Sequence, residues 1–265
     1  MSEAPIVGTR PTGASVALLS MLPLVRPSAT QRVQTGDLLF VHEPCGGGIG
    51  AAIEQTGQAT VRWMHSHGAP EATQETASHV ALAWRRAADD ELFLVEALEP
   101  KVRLTSAHDF FTRSGANAVF YLATFVDQQM RQARGHAANI ALAQVGKPYA
   151  DEFQPPPASF YCSSLIEYAF GQALGGEAHP FNPEPFVLIF EPESFWREYY
   201  AKLHRTVPTN ITGSNPTLLL HSRALSFQIY QVDAITGTFG APRISGSGRF
   251  SLGSEGDSYD ETDLY

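Results

Sequence analysis

The sequence predicts an α+β fold, and three observations predict it. Apolar residues gather in short runs bounded by turn residues, at Gly36–Val41, Ser78–Trp84, Leu92–Ala97, Asn117–Val126 and Ala224–Val232, which is the pattern of strands. Residues 127–145 and 193–203 instead carry their apolar positions at helical spacing. The third observation is the stretch Phe160–Phe170, FYCSSLIEYAF, in which Cys162, Leu165, Ile166, Ala169 and Phe170, followed by Ala173, fall on one helix face.

Pro155, Pro156 and Pro157 bring the chain to that helix in an extended form, so Cys162 falls in its first turn. A thiol there meets unpaired backbone N–H groups and the positive end of the helix dipole, both of which favour thiolate. The competing reading is a small buried hydrophobe that opens a core stripe.

Bulk composition narrows the function. In 265 residues, 43% are hydrophobic and 17% charged, as in a globular protein with one substantial core. The net charge of −9 gives no footprint for nucleic acid or an anionic membrane and points to small or peptide-like partners. Cys45 and Cys162 are too few for a disulfide framework and read as thiols. The apolar run at residues 14–25 is too short to span a bilayer and contains Pro23, so the expectation is synthesis in the cytoplasm, with any export independent of a cleaved signal.

Residues 1–34, with Pro5, Pro11, Pro23 and Pro27, read as an extended arm. Residues 35–233 read as one domain, and residues 234–265 as a Gly/Ser-rich acidic tail without fixed structure. Within the domain, the Gly36–Val41 strand leads to Cys45 and a glycine run, then to a short helix over Ala51–Gln55. GGGIGAA matches a dinucleotide fingerprint only loosely, and no acidic strand end follows at the required distance, so a flexible loop is the better reading. His65 and His67 fall in a polar stretch; placed on a strand they would project to one side and begin a metal site. Lacking a third ligand, they read as solvated loop histidines at the edge of a substrate entrance, and no metal or other cofactor is expected.

Ser78–Trp84 and Leu92–Ala97 form a hairpin across the charged turn at residues 85–91. Alternation puts His79 on one face with Ala81 and Ala83, whose small side chains leave room for an imidazole. Glu96 shares a face with Leu92 and Leu94, and in an antiparallel pair it becomes a cross-strand neighbour of His79. Nucleophilic thiol chemistry needs these parts: a thiolate, an imidazole to move its proton and a polar group to fix the imidazole's tautomer. Glu96 exposed at a strand end is the alternative.

Taken in order, GDLLF, SHVAL, FLVEAL, GKPY and FYCSSLIEYAF resemble the circularly permuted branch of the NlpC-like, papain-fold cysteine hydrolases, the YiiX/YebB-like group. The resemblance runs from Gly36 to Ala173, and more loosely through FWREYYAKLHRTVPTNITGSNP. It implies a papain-like fold in which an antiparallel sheet packs against the Cys-bearing helix. It also implies Cys162 as nucleophile, His79 as base and later acid, Glu96 as orienting residue and Tyr149 near an oxyanion site, with the Cys162 N–H as a further oxyanion donor. The long stretch between the first strand and His79 departs from the pattern.

Hydrolysis of amide bonds in a peptide-like substrate follows, with bacterial cell-wall stem peptides as the narrower expectation. A cell-wall target without a signal sequence implies an exported antibacterial effector, with an immunity or secretion partner. Related permuted enzymes that move lipid acyl chains supply a second reading, with Phe181–Phe195 as the wall of an acyl groove. An inert binding module, and a zinc enzyme using His65, His67 and His79, are lesser alternatives. Cys45 is the runner-up nucleophile.

Overall fold

The computed structural model describes residues 33–43, 47–69, 72–114, 117–176, 179–182, 184–233 and 238–242. The expected arm at residues 1–34 lies outside these except for Val33 and Gln34, and Cys45 lies outside them as well.

The chain begins with β1 (Leu38–His42) and α1 (Gly48–Ser66), followed by β2 (His79–Arg85), β3 (Leu92–Leu98) and β4 (Lys101–Ser106). Next come α2 (Ala107–Arg113), β5 (Val119–Phe125), α3 (Gln128–Leu142) and α4 (Cys162–Ala173). The remaining elements are β6 (Phe186–Val187), α5 (Glu193–Lys202), β7 (Thr212–Gly213), α6 (Pro216–Leu220), β8 (Leu225–Asp233) and β9 (Thr238–Pro242). Seven strands form one sheet in the order β4-β3-β2-β1-β5-β8-β9, with antiparallel neighbours throughout. β6 and β7 form a separate pair.

Alternation sorts the central strands into two apolar faces. Leu38, Phe40, Val80, Leu82, Val95 and Ala123 pack with α3 and with Cys162, Leu165, Ile166, Ala169 and Phe170 of α4. Leu39, Val41, Ala81, Ala83, Leu94 and Leu122 pack instead with Phe110 and Phe111 of α2. A third cluster joins Ala52 and Met64 of α1 to Tyr161, Phe186, Trp196, Tyr200 and Leu218. Most of these side chains are completely buried, each contributing about 1.5–3 kcal/mol on transfer from water.

Several elements differ from the sequence reading. The glycine run opens a helix that continues to Ser66 rather than stopping at Gln55. Gly57 lies inside that helix and no larger residue fits there: a Cβ would lie 2.4 Å from Thr217 Oγ1 and 3.3 Å from Thr76 Cβ. His65 and His67 therefore close a helix instead of occupying a strand or a free loop. His65 Nε2 lies 2.7 Å from the Ala72 carbonyl and His67 Nδ1 2.8 Å from that of Trp63, while the His67 ring stacks on Trp63. β4 and α2 are additional elements, and β9 falls inside the stretch read as tail, where it pairs with β8. Residues 243–265 of that tail lie outside the described ones.

A pair of substitutions separates packing from helix propensity. Gly57→Ala should destabilise the protein by about 1–3 kcal/mol despite alanine's better propensity. Gly135→Ala, in α3 with nothing within 4 Å of the added methyl, should stabilise it by about 0.5–1 kcal/mol. Urea unfolding of the two variants checks the opposite signs.

Candidate active site

Cys162 opens α4, as the proline-led approach requires. Tyr161 is the N-cap with extended backbone, and its N–H donates to Ser164 Oγ at 3.0 Å, which locks the first turn. The approach is further fixed because the Phe160 N–H donates to the Pro148 carbonyl at 3.1 Å and the Ala150 N–H to the Phe160 carbonyl at 3.0 Å. The thiol is 4% exposed and begins the buried stripe of α4, so it packs with the core while standing at the helix N-terminus.

His79 begins β2, aligned with Val41 of β1, and its imidazole lies beside the Cys162 sulfur, which helps it hold its proton. Its Nε2–H donates to Glu96 Oε2 at 2.7 Å, which leaves Nδ1 as the nitrogen for the sulfur. The contact is diagonal rather than directly across the ladder. Leu82 pairs Val95 and Ala83 pairs Leu94, so Glu96 falls opposite Ala81, and that small side chain lets the imidazole lean over.

Glu96 is completely buried and is not at a solvent-exposed strand end. Besides the imidazole it accepts from Thr105 Oγ1 at 2.7 Å, Arg103 Nε at 3.1 Å and Arg113 Nη2 at 2.7 Å. Burial opposes its charge most strongly, but the His79 hydrogen bond and the His79 and Arg113 charges win and hold the carboxyl well below its ordinary 4.5. For His79, burial likewise disfavours the cation, and the hydrogen bonds to Cys162 and Glu96 overcome it, raising the imidazole to about 9. The site thereby favours an imidazolium next to sulfur.

Arg103, Thr105 and Arg113 had no place in the sequence reading, because the elements that carry them were not recognised. A signal was present: Ser106-Ala107-His108-Asp109 is a helix-start motif, and Ser106 Oγ does accept the Asp109 N–H at 3.1 Å.

Tyr149 lies in an isolated bridge beside Phe160, and its N–H donates to the Pro100 carbonyl at 2.9 Å. Burial, followed by the charge of the nearby Cys162 sulfur, keeps its phenol protonated well above the ordinary 10.0, so it is available as a donor there. The fold thus brings His79 beside both Glu96 and Cys162, with Tyr149 near enough to Cys162 to feel its charge. His65 and His67 are engaged elsewhere, and among the described residues no group of three His, Cys, Asp or Glu side chains is placed to hold a metal ion.

An antiparallel sheet whose His-bearing strand precedes the Cys-bearing helix is the arrangement of a permuted papain-like cysteine hydrolase. The chain belongs to the family of permuted papain-like amidase enzymes, YaeF/YiiX, C92, whose model matches residues 32–227. Among solved structures, it resembles the metalloprotein YiiX from Escherichia coli O157:H7, with a TM-score of 0.55 and 20% identity over 73% of this chain and 95% of that one. No curated protein sequence matches. Among the described residues no helix is long and apolar enough to cross a membrane.

The Glu96 network makes stability depend on pH with a defined sign. Its lowered carboxyl contributes fully above 4.5, and that contribution is lost as pH falls. The raised imidazole contributes fully below 6.5, and its share is lost as pH rises through about 9. Glu96→Gln should cost about 3–5 kcal/mol in the intervening window, because it leaves buried cations unpaired. Urea unfolding of wild type and variant across the pH range should show the gap narrowing on both sides.

Proposed function

We propose that this chain hydrolyses amide bonds in peptide-like substrates, with Cys162 as nucleophile, His79 as acid and base, and Glu96 as the residue that orients the imidazole. The observation that carries the reading is the continuous chain from Cys162 through His79 to a completely buried Glu96. Membership of an amidase family supports the reaction class.

The Cys162 thiolate attacks the scissile carbonyl carbon, and the carbonyl electrons move to oxygen. The Cys162 N–H, unpaired at the helix start, and the Tyr149 hydroxyl are the donors for that oxyanion. On collapse, the C–N bond breaks and the His79 imidazolium gives its proton to the departing amine. The product is a thioester. His79, now neutral, takes a proton from water as the water attacks the thioester; the C–S bond breaks, the acid leaves, and the thiolate–imidazolium pair is restored. Glu96 remains ionised throughout, fixing Nε2–H toward itself and Nδ1 toward the sulfur.

No step is routed through a metal. YiiX is described as a metalloprotein, but in this chain the Glu96 oxygens already take four donors, and the histidine pair on α1 is occupied by backbone carbonyls. The lipid acyl reading is weaker for a packing reason. Phe181 and Phe186 are 4% and 2% exposed, and Phe181 packs on Phe125 and Phe170, so these rings are spent on the core. Cell-wall stem peptides as substrate, and an exported effector with an immunity or secretion partner, are the narrower form of the proposal and rest on the resemblance alone.

Iodoacetamide alkylation of Cys162, followed by mass spectrometry between pH 5 and 8, tests the pair. Wild type should react at least about tenfold faster than His79→Ala at the acidic end. Equal rates at every pH would overturn the Cys–His reading. Cys162→Ala should abolish hydrolysis of peptide amides while the protein remains folded.

A further inference from the structure

The alternation that fills the α2-facing side of β1 with Leu39 and Val41 continues to Glu43, one step beyond the strand end. Val41 is the partner of His79, so Glu43 lies on the imidazole's face but further out, whereas Glu96 lies further in. His79 thus sits between two carboxylates with different surroundings. Glu96 is saturated with donors. The Glu43 carboxylate is half-buried, accepts no hydrogen bond and makes no ion pair within 4 Å among the described residues; only its backbone N–H is engaged, with Glu54 Oε1 at 3.2 Å.

The space beside it is kept clear by glycine. A Cβ built on Gly50 would lie 3.6 Å from Glu43 Oε2, and Cβ atoms on Gly47 and Gly48 would meet nothing within 4 Å. With Ile49 turned toward the third apolar cluster, Gly47, Gly48 and Gly50 therefore leave a shelf of bare backbone at the start of α1, with Glu43 at its edge and close enough to His79 to feel its charge. Burial raises the Glu43 carboxyl, and the charges of His79 and Arg113 pull it back, while Glu54 and His42 act more weakly and in opposite directions. A half-desolvated carboxylate without a donor is stabilised most by a ligand that brings a cation.

We propose that Glu43 is a specificity-determining residue that receives an ammonium or guanidinium group of the substrate, seated on the Gly47–Gly50 shelf beside Cys162 and His79. The inference rests on the proposed hydrolase site but is read separately from it.

The test uses full-length protein with Cys45→Ser, which leaves Cys162 as the only thiol. Rates of Cys162 modification are measured with a cationic methanethiosulfonate, 2-(trimethylammonium)ethyl, and the neutral methyl reagent; each forms a mixed disulfide and releases methanesulfinate. The cationic-to-neutral ratio divides out changes in thiol reactivity. It should fall about three- to tenfold in Glu43→Gln, the effect of one partly solvated charge, and further in Glu43→Lys. A ratio unchanged in both variants would overturn the role of Glu43. Failure of the hydrolase reading shows differently, as a neutral-reagent rate that does not depend on His79.

Discussion

Burial of the Glu96 carboxylate is the constraint on which the rest of the site depends. A charge with no solvent contact is tolerable only when its lone pairs are filled, and here they are filled from three elements: His79 on β2, Arg103 and Thr105 on β4, and Arg113 at the end of α2. The edge strand and the covering helix are therefore tied to the same pair of oxygen atoms that orients the His79 imidazole. Because Nε2 is committed to Glu96, Nδ1 is left for the thiol. Charge burial dictates the geometry at sulfur, and a loose imidazole would leave Glu96 one donor short.

What was legible in the sequence follows from which forces leave a periodic trace. α4 and the β2–β3 hairpin bury one apolar face each, so Cys162, His79 and Glu96 stand out against regular alternation. β4 and α2 were not legible because their inward-facing Arg103, Thr105 and Arg113 serve a buried charge, and polar side chains on an inward face look like solvent exposure. The continuation of α1 beyond Gln55 was not legible because it runs through Gly57, where the benefit of a missing side chain depends on Thr217, far along the chain. Local propensity cannot see that contact.

The site shows the same division. Alternation assigns His79 and Glu96 to compatible faces, but the register that makes them diagonal, with Ala81 opposite Glu96, emerges only when the strands pair. Glu43 was passed over because it falls after the last apolar residue of β1, where a carboxylate ordinarily means a strand end in water. Extending the two-residue period by one step places it on the face of the imidazole, beside a glycine run that the sequence shows only as a loop.

Charge balance links these features to the proposed chemistry. In its ion-pair form the site holds three cations, the imidazolium and the Arg103 and Arg113 guanidinium groups, all near the single Glu96 carboxylate. One carboxylate cannot neutralise three cations; the Arg103 and Arg113 side chains keep 33% of their surface exposed to water, and in the proposed mechanism the sulfur of Cys162 balances the imidazolium. The catalytic cycle preserves the balance. When the thiolate becomes a thioester and the imidazolium gives its proton to the leaving amine, one negative and one positive charge vanish together. Glu96 then faces the two part-exposed arginines, and the net charge of the site is unchanged. In the proposed cycle the thiolate and imidazolium form and vanish as a pair, so neither is left as an uncompensated buried charge, and the only standing electrostatic cost is that of desolvating the pair itself.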